Sequence, residues 1–430
     1  MLNRTQNTNG LTNFNKVAFI TICFLFALLP FHYYISGRID SVWTFPFYRE
    51  LFAVVFCFII FVNNAHNNLK ILSWRIPYSI LFVLMWYFYI LAAYIVDPGI
   101  SIYGEDITRA SLQLSKFSPG AYVLRNSFLY FPLLILIYLR GLNKREFKFL
   151  LSIVVFCAPL SIISLYRYYG MENLTSVLIQ LELSGKSGLP YNTYIPYLSF
   201  VFISGIYLFL ISKGFFSKIV LLLVNSFVFG VIIFSTSRQT VLFCILGGSG
   251  FSLSQKSKLS LIISIFILFG IAYYFLSFSD ALGSLYLTPA AFETTRFEIM
   301  KNGLQKLDAP GDWFFGKGLT SVIFSGPHNN YIRVIQRIGI FGMLLTFFPF
   351  IYAFLNINMK IIKYWNLKIF DRNLALFITM GIFFTLYHSF FGYPHSDAFN
   401  NPFVWLGLSI YLVMKKDLIA LKPGNMIDRL

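Results

Sequence analysis

Residues 191–254 read YNTYIPYLSF VFISGIYLFL ISKGFFSKIV LLLVNSFVFG VIIFSTSRQT VLFCILGGSG FSLS. Three apolar runs, at 191–212, 215–234 and 238–254, follow one another with only short polar turns between them. Each run is close to the length of about 20 residues that an α-helix needs to cross a bilayer. This stretch therefore predicts three consecutive transmembrane helices joined by tight turns.

Nine further apolar runs extend this pattern over the rest of the chain. They lie at 17–36, 45–63, 76–96, 121–139, 149–166, 259–278, 338–357, 374–391 and 400–414. The sequence thus predicts an all-α, polytopic membrane protein of about 12 transmembrane helices, with a count between about 11 and 13. Residues 1–430 are expected to form a single integral membrane domain. We recognise no cleavable signal peptide, because the first apolar run lacks a small-residue cleavage site.

Composition and charge agree with a membrane protein. Hydrophobic residues make up 57% of the chain and charged residues only 12%, whereas soluble domains carry about 25% charge. If the amino terminus is cytoplasmic, twenty of the 34 lysines and arginines fall in cytoplasmic segments. That bias predicts the orientation, with both termini in the cytoplasm. It also accounts for the net charge of +17 without a nucleic-acid partner.

The longest polar segment covers residues 278–330, between the ninth and tenth predicted helices. The predicted orientation puts it on the extracytoplasmic side. Loops of this length in a compact protein are usually functional. We therefore expect the chemistry of the protein in or beside this loop.

Three groups of residues on that side are candidates for chemistry, although each has an ordinary structural explanation. Arg238 follows Ser237 in a tight turn, where an arginine commonly snorkels to the interface. Arg296 stands in a helix start within the loop. His328 and Asn329 stand in a turn just before a predicted helix, after the pair Gly316 and Gly318. A Gly-x-Gly pair without a strand–loop–helix context is weak evidence for nucleotide binding.

In this order, the three groups resemble the conserved pattern of the O-antigen ligase and polymerase superfamily, which are membrane glycosyltransferases of the GT-C class. The resemblance covers Ser237-Arg238, Arg296, Gly316/Gly318, His328-Asn329 and Gly339/Gly342. It is specific over about a quarter of the chain, from residue 233 to 342. One departure is Arg337, which stands where family members commonly carry an acidic residue. This arginine either suits a more anionic substrate or snorkels.

The resemblance implies an enzyme that takes a glycan from undecaprenyl diphosphate and transfers it to an acceptor hydroxyl. Arg238 and Arg296 would then bind the diphosphate, since guanidinium groups bind phosphate bidentately. His328 would act as general base, because imidazole titrates near neutral pH. Further substrate-binding candidates are Asn329, Arg333 and Arg337.

The implied enzyme is an inverting, metal-independent glycosyltransferase without a cofactor. No Asp-x-Asp motif occurs in the first extracytoplasmic loop (residues 37–44), and no carboxylate pair suggests a covalent sugar intermediate. Trp313, Phe314 and Phe315 either stack on sugar faces or anchor the loop at the membrane interface.

Within the class, the leading interpretation is a Wzy-type polymerase that joins lipid-linked repeat units of O-antigen, capsule or exopolysaccharide. The alternative is an O-antigen ligase that delivers the glycan to lipid A-core. A lipid-linked oligosaccharide flippase or other transporter is a more distant alternative. The resemblance implies the bacterial inner membrane, a site that faces the periplasm, and a chain-length regulator and a flippase of the same pathway as partners.

Overall fold

The computed structural model describes residues 9–31, 77–96, 131–169, 191–234, 238–254, 301–305, 307–318, 329–367, 369–390, 402–415 and 417–418. The elements in these ranges are all helical. The α-helices are α1 Asn9–Leu28, α2 Tyr78–Val96, α3 Phe131–Arg140, α4 Lys144–Tyr169, α5 Tyr191–Ile211, α6 Phe215–Phe234, α7 Arg238–Ser254, α8 Pro310–Phe315, α9 Asn330–Tyr364, α10 Arg372–Phe390 and α11 Pro402–Met414. A short 3₁₀ helix, Leu29–Phe31, follows α1.

Six of the described helices are long and apolar enough to cross a membrane, namely α2, α4, α5, α6, α9 and α10. The predicted all-α class is confirmed, and the protein is a multi-pass membrane protein. Helices overlap ten of the predicted apolar runs. The other two, 45–63 and 259–278, lie outside the described residues.

The centre of the bundle is formed by α5, α10 and α11. Buried residues make up 72% of the apolar segment of α5 and 67% of that of α10, but only 22% of that of α6. The Phe200 ring of α5 lies 6.2 Å and 5.6 Å from the rings of Phe377 and Phe384 in α10. It also lies 5.3 Å from the ring of Phe403 in α11. α6 is therefore a peripheral helix, whereas α5 lies in the core.

Small residues let α10 and α11 approach closely. Gly381 in α10 faces Gly407 in α11, and a methyl group on Gly407 would overlap the Gly381 carbonyl group. Close backbone contact through glycine is typical of helix pairs in membranes, where van der Waals packing stabilises association.

Three basic segments meet at one end of the bundle. Arg140, which ends α3, forms an ion pair with Glu146 in the first turn of α4. Lys144 Nζ lies 3.6 Å from a carboxylate oxygen of Asp371, the residue before α10. The backbone N–H of Asp371 donates to the carbonyl of Leu418, beyond α11. The charge pattern assigns all three segments to the cytoplasm, and their meeting at one end is consistent with that assignment.

Helix α9 is broken at Gly339, which has φ +71° and ψ −178°. The rings of Tyr331 and Phe347 lie 4.2 Å apart, whereas the rise between these positions in an unbroken helix is about 24 Å. The chain therefore turns back at Gly339, and we call residues 330–338 the fold-back segment. The sequence predicted a transmembrane helix from residue 338, but helical structure already begins eight residues earlier, in this segment.

Candidate functional site

The predicted site residues are described to different extents. Arg296 and His328 lie outside the described residues. Arg238 is the first residue of α7, where only its backbone is described. Asn329, Arg333 and Arg337 are described and buried, with 3%, 7% and 6% of their surfaces exposed. Neither arginine therefore snorkels to the surface, although that was one interpretation of Arg337.

Asn329 has a structural role that the sequence did not indicate. Its backbone is extended, and its side-chain oxygen accepts hydrogen bonds from the N–H groups of Tyr331 (2.9 Å) and Ile332 (3.2 Å). This is an N-cap, which satisfies N–H groups that have no partner within the helix. The residue next to His328 thus fixes where the fold-back segment begins.

The backbone around Gly316 and the backbone around Gly339 pack against each other. Gly316 (φ +79°) packs against the backbone of Arg337, and Gly339 packs against the carbonyl group of Phe314. A methyl group at either glycine would overlap backbone atoms of the other segment. The Gly-x-Gly pair therefore provides a backbone contact between the end of α8 and the break in α9.

Carbonyl groups at the break of α9 receive hydrogen bonds from other parts of the chain. The N–H of Lys317 donates to the carbonyl of Gln336 at 2.8 Å. The hydroxyl of Tyr89 in α2 donates to the carbonyl of Ile338 at 3.0 Å. Buried backbone groups need such partners, so the loop and α2 together stabilise the break.

Gln336 connects the fold-back segment to the loop. Its buried side-chain amide donates to the carbonyl of Gly303, in the short helical stretch at residues 301–305. Gly303 follows Arg296 by seven positions in the sequence. The fold-back segment is thus hydrogen-bonded to the part of the loop that follows one of the predicted arginines.

Two tyrosine hydroxyls connect the starts of α7 and α9 through neighbouring residues of α10. Tyr331, three residues after His328, donates to the carbonyl of Leu386 at 2.8 Å. Tyr387 donates to the carbonyl of Gln239, the residue after Arg238, also at 2.8 Å. Described residues that follow two of the three sequence groups therefore bond to neighbouring residues near the carboxyl-terminal end of α10.

A polar group in α10 was not predicted from the sequence. His388 Nε2 lies 3.3 Å from Ser199 Oγ in α5, and Thr385 and Ser389 are each 1% exposed. The hydroxyls of Thr385 and Ser389 and the Nδ1 atom of His388 are buried without a hydrogen-bond partner among the described residues. The available signal was a histidine flanked by hydroxyl residues at i−3 and i+1 within an apolar run, since polar residues inside a membrane are usually functional.

The positive charge of Lys317, beside α8, is balanced by two neighbouring carboxylates. Lys317 Nζ lies 2.9 Å from Asp308 and 3.4 Å from Asp312. The hydrogen bond to Asp308 is the largest cause that raises the pKa of the Lys317 ammonium group, and Asp312 adds to it. Lys317 is therefore cationic at every physiological pH, and its charge is engaged with these carboxylates rather than directed into the bundle.

The Tyr387–Gln239 hydrogen bond can be tested without an activity assay. We expect Tyr387→Phe to increase hydrogen exchange at the first turn of α7 and to lower the free energy of unfolding by about 0.5–1.5 kcal/mol, the net value of one hydrogen bond. Tyr197→Phe is a matched control, because it also removes one tyrosine hydrogen bond between two helices, but away from α7. The Tyr197 hydroxyl in α5 donates to the carbonyl of Val154 in α4. Unchanged exchange at the start of α7 would contradict the role given to Tyr387.

In the described part of the chain, no three His, Cys, Asp or Glu side chains come together as a set that could hold a metal ion. No protein-family model matches the chain, and no curated protein is significantly similar to it.

Proposed function

We propose that this membrane protein is a glycan polymerase that transfers an oligosaccharide from undecaprenyl diphosphate onto a lipid-linked repeat unit. In this proposal the fold is GT-C-like with about twelve transmembrane helices. The site faces the periplasm from the bacterial inner membrane. The enzyme is inverting and uses neither a metal nor a cofactor.

The observation that carries the proposal is the buried polar face of the fold-back segment. Asn330, Arg333, Gln336 and Arg337 are each at most 7% exposed, in a helix whose remainder is apolar enough to cross a membrane. Charged groups in such a position carry a large desolvation cost, so they usually mark a binding or transport site.

The spacing of the two arginines suits an anionic ligand. Arg333 and Arg337 are four residues apart, which puts neighbouring guanidinium groups on one helix face. Guanidinium groups bind phosphate oxygens bidentately, and two of them match the two phosphates of a lipid diphosphate. The arginine at position 337, which departs from the family pattern, adds to this positive charge.

The contacts of α10 support the inclusion of Arg238 and His328 in the same site. Tyr331 and Tyr387 tie the residues that follow His328 and Arg238 to adjacent carbonyl groups of α10. We propose that Arg238 and Arg296 also bind the diphosphate, and that Asn329 positions the base by capping the fold-back segment.

The proposed step is one displacement at the anomeric carbon. The acceptor hydroxyl oxygen forms a bond to that carbon while His328 accepts the hydroxyl proton. The bond between the carbon and the phosphate oxygen breaks, and its electron pair leaves with undecaprenyl diphosphate. The arginines stabilise the charge that develops on this leaving group. The configuration at the anomeric carbon is inverted.

The test uses the purified protein in bilayers, with undecaprenyl-diphosphate repeat units as the only substrate. A polymerase produces a ladder of longer lipid-linked glycans. Glycan transfer that begins only when lipid A-core is added would identify a ligase instead. Absence of transfer under both conditions would reject the proposed function.

A further inference from the structure

The end of α8 presents two neighbouring phenylalanines to the outside of the protein. Phe314 and Phe315 are 60% and 66% exposed. The turn that carries them is held by the indole N–H of Trp313, which donates to the carbonyl of Leu307 at 3.1 Å. Exposed aromatic side chains on a fixed turn indicate an interaction surface rather than a loose loop.

Helix α9 shows at which depth this turn lies. Its exposed apolar side chains recur every three or four residues and form one stripe, made of Phe341, Leu344, Phe348, Ile351, Leu355, Met359 and Ile362. At 1.5 Å per residue the stripe is about 32 Å long, which matches a hydrocarbon core of about 30 Å. Lys360 and Lys363 stand at its far end, so the near end, at Phe341, lies in the outer part of the hydrocarbon core.

The turn is docked at the level of this near end. The carbonyl of Phe314 packs on Gly339, two residues before Phe341. Helix α2 continues the apolar surface outward from the same level: Tyr89 bonds to Ile338, and Val96, seven residues further along α2, is 85% exposed. Phe314 and Phe315 are thus continuous with the lipid-facing surface of the bundle.

The neighbouring part of the turn is charged. Asp308 is exposed and pairs with Lys317 at 2.9 Å, whereas Phe314 and Phe315 contribute only apolar surface. Segments with an apolar and a charged side lie in the interface plane, with the apolar side among the acyl chains. This division favours lipid over sugar as the occupant of the phenylalanine surface.

We propose that Phe314 and Phe315 insert among the lipid acyl chains of the outer leaflet and anchor the junction of α8 and α9 to the bilayer. The inserted rings hold the Gly316–Gly318 turn in the outer leaflet. This inference does not depend on the proposed enzymatic function.

The test places an environment-sensitive fluorophore on Phe315→Cys of the full chain in lipid bilayers. Asp308→Cys is the matched control on the charged side, and unsubstituted protein gives the background from the native cysteines. We expect a nitroxide on the upper acyl chain to quench the fluorescence of the probe at 315 at least about threefold more strongly than that of the probe at 308. Aqueous iodide should quench the two probes in the reverse order.

Phe314→Cys, which retains Phe315, provides a second labelling position in case the substitution at 315 weakens insertion of the turn into the bilayer. Quenching by the lipid nitroxide at either position supports the anchor. Iodide quenching like that of Asp308→Cys at both positions, without lipid quenching, would overturn it and indicate a surface in water.

Discussion

Gly339→Ala is expected to destabilise the protein more than any other single methyl group added to a described glycine. The new methyl group would overlap the backbone of Phe314, and the conformation at φ +71° and ψ −178°, which is essentially restricted to glycine, costs another residue about 1–3 kcal/mol. Overpacking adds typically about 1–3 kcal/mol. We expect the free energy of unfolding to fall by roughly 2–6 kcal/mol in total. The buried thiols of Cys23 and Cys244 allow unfolding to be followed with a thiol-reactive dye.

Two control variants separate the causes. Gly141→Ala has a similar φ of +72° but open space around the new methyl group, so it should show only the cost of backbone strain. Gly250→Ala lies in α7 with open space and no positive φ, so it should be neutral or slightly stabilising. If Gly339→Ala lowers the free energy of unfolding no more than Gly141→Ala does, the contact between the segments around Gly316 and Gly339 does not stabilise the fold.

His328→Ala is expected to lower kcat for glycan transfer by about 10²–10⁴-fold, the usual contribution of a general base. The donor KM should change little, because this side chain is proposed to act on the acceptor proton. The rate of the unsubstituted enzyme should rise with pH as the imidazole loses its proton, and then level off. His328→Ala should lose this dependence.

Variants of the two arginines proposed to bind the diphosphate should lose activity for a different reason from His328→Ala. Arg238→Ala and Arg296→Ala should lower kcat/KM by about 10²–10³-fold, because each removes a charge that stabilises the leaving group. Lysine at either position should recover only part of the activity, since an ammonium group cannot bind phosphate bidentately. Lys213→Ala, an exposed residue at the opposite end of the bundle, is the control and should be unchanged. Retained transfer in both His328→Ala and Arg296→Ala would reject the assigned site.

The apolar runs predicted the helix ends correctly where the local sequence alone determines them. The run at 215–234 matches α6 at both ends, and the run at 238–254 matches α7. Both begin after short polar turns. A long apolar run in a membrane protein can satisfy its backbone only as a helix, so no tertiary information is needed.

The fold-back segment could not be predicted because tertiary contacts determine it. The sequence contains Gly316 and Gly339, but nothing in it indicates that the segments around them pack together across more than twenty residues. The break also needs the N–H of Lys317 and the hydroxyl of Tyr89, and the latter comes from a helix about 250 positions earlier. Periodicity within one segment carries no information about such partners.

The sequence supplied candidate residues for the site but no information about how they are arranged. Arg333 and Arg337 were selected as helpers in phosphate binding, and both are buried in the bundle. Asn329 was selected for substrate binding but caps a helix. The roles of Tyr331 and Tyr387 were missed because tyrosine is abundant in this chain, with 27 residues, and a hydrogen bond to a distant carbonyl leaves no local pattern.

The most direct test is the stoichiometry of lipid release by the purified protein in sealed vesicles with a lipid-linked oligosaccharide. We expect one undecaprenyl diphosphate to be released for each glycosidic bond formed. The glycan should grow on the face of the membrane that carries the loop of residues 278–330. If the oligosaccharide crosses the membrane while its bond to the diphosphate remains intact, the protein is a transporter and the enzymatic account is wrong.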